Sequence, residues 1–274
     1  MRKLCRVLAV SRSGFYAWRG RPESQRVRND RALLAQIAQV HCDSREAYGA
    51  VKTWHALRAR GGACGRHRVA RLRRQAGIEA KRTRRFRVTT QSRHRYPVAT
   101  NLLDRAFAVS QPNRVWVGDI TFIPTQAGWL YLAVLEDLFA RRIVGWAMSR
   151  YIDRELVTEA LIMALERRRP TPGLVHHTDQ GRQYATESYQ QRLLAHGIHP
   201  SMSRKGDCFD NACAESVIST LKNELVHHRQ FTTREEAQTA IFEFIEVFYN
   251  RQRLHQTLGY LSPAEFERRA GVPD

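Results

Sequence analysis

The sequence predicts an α/β fold, a mixed-direction sheet covered by helices, preceded by a small all-helical region of helix-turn-helix character. Three observations carry this. Residues 1–100 hold 25 Lys and Arg against 5 acids, whereas residues 101–274 hold 20 against 21, so the whole formal charge of +19 lies in the first third. Helical spacing of apolar residues gives way after Pro112 to short strand-like runs, which then alternate with helical segments. Finally, Asp119, Asp179 and Glu215 stand inside strand and helix patterns where a carboxylate is out of place, the last two with 35 residues between them.

A chain of 274 residues with 43% hydrophobic content can bury a full core, as one large domain plus a smaller part. Its longest apolar run, residues 129–135, falls far short of the roughly 18 residues that a membrane span requires. No signal peptide is expected, because Arg6 breaks the short apolar stretch at the amino terminus. Five cysteines without a C-x-x-C pair argue against a disulfide framework and a zinc ribbon, which points to the reducing cytoplasm. Positive charge alone also suits a membrane surface or an acidic protein, so motifs must decide the partner.

Residues 1–20 read as two short helices with Ser11 as an N-cap, followed by a polar connector over 21–31. Amphipathic spacing predicts helices over 33–40 and 48–60, the second stopped by Gly61 and Gly62. A further helix over 66–76 places Val69, Leu72 and Ala76 on one face and fills the rest with Arg66, His67, Arg68, Arg71, Arg73 and Arg74. Helix, glycine turn and basic helix form a helix-turn-helix candidate whose second helix could enter a major groove; a solvated basic helix on a small bundle is the alternative. Residues 81–95, with Lys81, Arg82, Arg84 and Arg85 at their start, read as an arm tracking phosphates or as a charged linker. The expected divisions are a DNA-binding region over 1–80, a basic linker over 81–111, a catalytic core over 112–250 and a tail motif over 251–274.

Within the core, runs at 115–123, 129–135 and 142–148 suit an antiparallel meander. Residues 153–168 then read as helix, 174–178 as strand, 186–196 as helix and 198–203 as strand. Helices are expected over 211–227 and 233–250.

Asp119 interrupts V-W-V-G-D-I-T-F-I, a run apolar enough for a strand buried on both faces. A carboxylate there needs a hydrogen-bond partner, a counter-charge or a metal. Asp179 ends L-V-H-H-T-D and opens Q-G, at the carboxyl edge where active-site residues of α/β sheets lie, although a turn Asp before Gly is also common. Glu215 recurs on one helical face with Asn211, Ser219 and Lys222. Hard oxygen ligands without a matching His or Cys cluster favour Mg²⁺, or Mn²⁺ in its place, as two ions serving phosphoryl displacement. His176 and His177 read as packing or hydrogen-bonding residues, since strand neighbours point to opposite faces.

W-V-G-D-I-T-F-I around Asp119, H-T-D-Q-G-R-Q-Y from His177, S-R-K-G-D-C-F-D-N-A from Ser203, E-S-V-I-S-T-L-K-N-E from Glu215 and Y-N-R-Q-R-L-H-Q-T-L-G-Y-L-S-P-A-E-F near the end stand in this order. Over nearly its whole length the chain resembles the second-frame transposases of the bacterial family typified by insertion sequence three, within the retroviral-integrase superfamily. That resemblance implies an RNase H-like core with a five-stranded mixed sheet, with Asp119, Asp179 and Glu215 as its metal-ligating catalytic trio and Lys222 near the DNA end. It implies cleavage by water to free a 3′ hydroxyl, then attack of that hydroxyl on another phosphodiester, by a homo-oligomer assembled on DNA. Family proteins are commonly fused to an upstream-frame segment, so such a segment is an expected fusion or partner. A metal-dependent nuclease on the same fold and a non-catalytic DNA-binding regulator remain the alternatives.

Overall fold

A computed structural model describes residues 1–81 and 96–272, which fall into two compact units, Met1–Ala80 and Lys81–Asp274. Among the described residues no helix is long and apolar enough to cross a membrane.

The first unit is helical throughout. Helix α1 (Arg2–Val7) leads to α2 (Arg12–Arg19), whose N-cap Ser11 accepts a hydrogen bond from the Gly14 amide at 3.0 Å. Helix α3 (Gln25–Asp43) is longer than its apolar stripe of Leu33, Ile37 and Val40. It takes in half of the expected connector, because Ser24 caps it and Gln25 bonds Asn29 one turn on, so a polar stretch can propagate helix on the solvent side. Helix α4 (Ala50–Ala59) ends at Gly61, whose φ of +84° suits glycine. A side chain on Gly62 would sit 2.9 Å from the Leu57 carbonyl. Helix α5 (Arg66–Gln75) buries Val69 and Leu72 as expected, but not Ala76, which is the exposed C-cap. The third buried residue is Arg73, whose guanidinium donates to Thr53 Oγ1 and to the Tyr48 carbonyl, both at 2.9 Å. Charge periodicity had placed it on the solvated face; two buried acceptors make its burial tolerable.

The second unit is built on a five-stranded sheet of order β3-β2-β1-β4-β5. Strands β1 (Val115–Thr125), β2 (Gly128–Asp137) and β3 (Arg142–Ser149) form the antiparallel meander, and β4 (Val175–Thr178) and β5 (His199–Met202) add in parallel to β1. Helices α6 (Arg154–Arg168) and α7 (Glu187–Ala195) cover one face, with Leu156, Val157, Ala160, Leu161, Tyr189 and Leu193 against Trp116, Ala133, Leu135 and Val144. The approach of α6 is close enough that a Cβ on Gly145 would lie 2.2 Å from the Ala160 carbonyl. Helix α8 (Ala212–Glu224) covers the other face through Cys213 and Ala214 against Val117 and Leu138.

The carboxyl-terminal helices are shorter than predicted. Helix α8 is flanked by 3₁₀ turns at Cys208–Asn211 and Val226–His228, and α9 (Arg234–Phe242) passes into a π-helical stretch, Glu243–Tyr249. This widened stretch ends at Asn250, whose side chain accepts from the Ile143 amide at 3.0 Å and donates to the Ile143 carbonyl at 2.9 Å, as a neighbouring strand would. The tail motif around it packs onto the rest of this unit. Arg253 makes a two-pronged ion pair with Glu224, and Tyr249 packs edge-on against His255. After α10 (Pro263–Arg269) begins, buried Glu267 receives Arg168 and Arg142, so the tail is bolted to the sheet by charge.

Candidate active site

The parallel register of β1 and β4 ends at the pair Gly118–Thr178. Asp119 and Asp179 are the next residue of each strand's run, so the two aspartates come side by side at the carboxyl end of β4. Asp119 remains in β1, opposite Val134 of β2, and its Oδ1 accepts from the Ile120 amide at 2.7 Å. The Asp179 Oδ1 accepts from the Gly181 amide at 2.9 Å, in a turn so tight that a Cβ on Gly181 would lie 2.9 Å from that same oxygen.

Glu215 arrives from α8, one turn after Asn211 donates its side-chain amide to the Gly118 carbonyl at 3.3 Å. Loop 203–210 upstream is held by buried Asp210, which accepts from the Arg204 amide and from the Arg204, Arg105 and Asn101 side chains. Those charges keep the Asp210 carboxyl far below the usual range. Neither brace was assigned by sequence reasoning, although D-C-F-D-N-A, with two acids beyond the trio, carried the signal.

The three carboxylates share one field. Loss of water raises the Asp119 pKa well above its ordinary value, and the neighbouring Asp179 and Glu215 raise it further. Burial, then Asp179, raises Glu215. Two turns along α8, burial lowers the Lys222 pKa while Asp119 pulls it upward, and its Nζ lies 4.6 Å from the centre of the Phe122 ring. Among the described residues no three His, Cys, Asp or Glu side chains are gathered closely enough to hold a metal ion, and what joins the trio is the mutual repulsion of its oxygen donors.

The two histidines before Asp179 are packing residues, as expected. His176 bonds the Tyr189 hydroxyl at 2.9 Å, and His177 bonds Ser201 and Ser203 at 2.8 and 3.1 Å. Burial drives their pKa values down to about 3 and about 4, so both rings are neutral at physiological pH.

In the helical unit, Arg68 and Arg71 converge on Asp30 of α3, at 2.6 and 2.7 Å, and hold its carboxyl below the usual range. Arg66 and Arg74 of the same helix are exposed. Lys81 is half-buried, while Arg82, Arg84 and Arg85 lie outside the described residues.

Two models described as integrase core domain match residues 109–208 and 196–263, and one described as an HTH-like domain matches residues 28–86. The chain is 46% identical to the insertion element IS600 uncharacterized 31 kDa protein of Shigella sonnei, over 97% of this chain and 98% of that protein. It is 41% identical to transposase InsF for insertion sequence IS3A of Escherichia coli (strain K12), over 98% of this chain and 94% of that one. Among solved structures, the simian T-cell lymphotropic virus intasome in complex with PP2A regulatory subunit B56 gamma aligns with a TM-score of 0.50 at 14% identity. That alignment covers 87% of this chain and 76% of the other, a likeness of fold.

Proposed function

The chain belongs to the insertion-sequence transposases with an integrase core, and from that membership we propose how its own residues divide the work. It is a polynucleotidyl transferase acting on DNA, cutting a phosphodiester to leave a 3′ hydroxyl and joining that hydroxyl to a second DNA. Asp119, Asp179 and Glu215 are the catalytic carboxylates. The observation that carries this assignment is the sheet register, which sets the two aspartates side by side where β4 ends, with α8 tied to Gly118 to deliver Glu215.

The donors fit a pair of Mg²⁺ or Mn²⁺ ions: all are hard oxygens, and their mutual repulsion is of the kind a cation relieves. Bound there, such ions supply the charge that activates an attacking oxygen and stabilises a leaving one in an in-line displacement. The protein's part is to fix the carboxylates, through the Gly181 amide on Asp179, the Ile120 amide on Asp119 and the Asn211 anchor behind Glu215. Lys222 places a cation beside Asp119, where it can hold a DNA phosphate. In the helical unit, exposed Arg66 and Arg74 supply non-specific grip, as do Lys81, Arg82, Arg84 and Arg85 in the sequence that follows it, while Arg68 and Arg71 combine that role with bracing α5 on α3. Assembly as a homo-oligomer on DNA, with an upstream-frame protein as fusion or partner, completes the proposal.

The test mixes the full chain with labelled DNA carrying one end of its own element, a supercoiled plasmid and Mg²⁺, and compares wild type with Glu215→Gln. Covalent joining by wild type alone is the expected result. Cutting without joining would identify a nuclease, and binding without either would identify a regulator.

A further inference from the structure

Beyond Gly118, β1 no longer pairs with β4 and is met on that edge by a single parallel bridge from Thr125 to Phe231, and the β1–β2 hairpin is firmly held. The Thr125 hydroxyl donates to the Gly128 carbonyl at 2.5 Å, the Gln126 amide to the Phe231 carbonyl at 2.9 Å, and Arg234 Nε to the Trp129 carbonyl at 3.0 Å. On this clamped ribbon two aromatic rings stay open to solvent, Phe122 at 38% and Trp129 at 50% exposure. They share a face, since Phe122 pairs with Tyr131 and Trp129 with Pro124, and their centroids lie 5.1 Å apart with the planes at 85°. The ammonium of Lys222 lies over the Phe122 ring, and the same lysine acts on Asp119.

A hairpin closed for stability alone would turn its indole inward, because a half-exposed Trp forfeits much of the burial that favours it. Here the ribbon is fixed and the indole remains open, edge-on to Phe122, over whose ring the Lys222 ammonium lies. A flat apolar face next to a positive charge matches the alternation of base and phosphate in an unpaired DNA strand. A rigid ring costs little ordering entropy when a base stacks on it.

We propose that Trp129, braced by Phe122, is a stacking seat for one unpaired base of the DNA end being cleaved, with Lys222 holding the phosphate next to it. The seat rests on the transposase reading above. Lys222, which lies over Phe122 and acts on Asp119, ties the seat to the trio, so the base it takes belongs to a nucleotide near the cut. Trp129 is thus a positioning residue: seating the base takes the strand out of the duplex stack and fixes the phosphodiester against the carboxylates.

The test places 5-iodouracil singly at each nucleotide flanking the cleavage position, in one series within the element end and in another within the target duplex. The full chain is bound in Mg²⁺, irradiated, and the crosslinked residue mapped by mass spectrometry. The expected result is a crosslink from the element end to Trp129 that falls about tenfold in Trp129→Ala, falls similarly in Phe122→Leu and survives in Trp129→Phe. Crosslinking unchanged in Trp129→Ala, absent from wild type, or arising only from the target duplex would overturn the seat. So would a Trp129→Ala chain that loses self-association while its crosslinks persist, since the rings would then be an interface between copies. Cleavage is read in the same samples: a wild type that never cuts counts against the transposase reading, whereas the crosslink pattern bears on the seat itself.

Discussion

The side-chain amide of Asn211 reaches the backbone carbonyl of Gly118 at 3.3 Å, so the start of α8 is bonded to β1 one residue before Asp119. That bond joins the two elements that carry Asp119 and Glu215, the first and third of the proposed catalytic carboxylates. Asn211→Ala should therefore lower strand transfer about tenfold while costing roughly 1–3 kcal/mol of stability, as loss of one buried hydrogen bond does. Single-turnover joining rates beside a thermal melt check this; an unchanged rate with a lowered melt would make the bond purely structural.

Mutual repulsion within the trio makes apo stability sensitive to one charge. Saturating Mg²⁺ or Mn²⁺ should raise the melting temperature of the wild type, since a ligand that binds the folded state stabilises it by mass action. Asp119→Asn should raise the metal-free melting temperature, by removing one of three like charges, and abolish the metal-induced rise. A wild-type melt indifferent to saturating metal would sink the site.

Glu136 is buried beneath the tail motif, with the Tyr249 hydroxyl donating to one carboxylate oxygen at 3.4 Å and the other lacking a hydrogen-bond partner among the described residues. Burial pushes its pKa from 4.5 to about 8. Between those values the folded protein keeps a proton that the unfolded chain releases, so this residue's contribution to stability falls as pH rises from 4.5 and levels off above 8. Glu136→Gln, neutral throughout, should stabilise the fold by a few kcal/mol near pH 9 and by much less near pH 5. Denaturant melts at the two pH values decide it, and an equal effect at both would show that Glu136 does not titrate in this window.

The arginines of α5 should separate into two classes. Arg66→Ala and Arg74→Ala should leave the melt unchanged and each reduce the slope of log affinity against log salt by about one, as loss of a phosphate contact does. Arg68→Ala and Arg71→Ala should also lower the melting temperature, because each takes a partner from Asp30. Binding isotherms at several salt concentrations give the slopes; identical behaviour of all four would return the helix to a uniformly solvated face.

Much of this molecule was legible in one dimension. The meander, the βαβ run after it and the placement of Asp119 within a strand and of Asp179 at a strand end follow from apolar runs and turn residues, which are local signals. The cap at Ser11 is local too. Arg73 was misplaced because its burial depends on Thr53 and Tyr48, acceptors on other segments that no periodicity reports. The break of the last long helix into a π-helical stretch likewise answers a distant need, the pairing of Asn250 with the edge of β3.

By itself the sequence determined the chemistry: three hard carboxylates, a basic first third, and motifs specific enough to name a family. Only the tertiary structure decided the placement: that β1 and β4 end their pairing at Gly118 and Thr178, that Asn211 pins α8 beside them, that Arg68 and Arg71 spend charge on Asp30, and that Trp129 faces water. Residue types and spacing encode what a group can do, whereas register, burial and charge pairing arise between segments far apart in the chain and exist only once they pack.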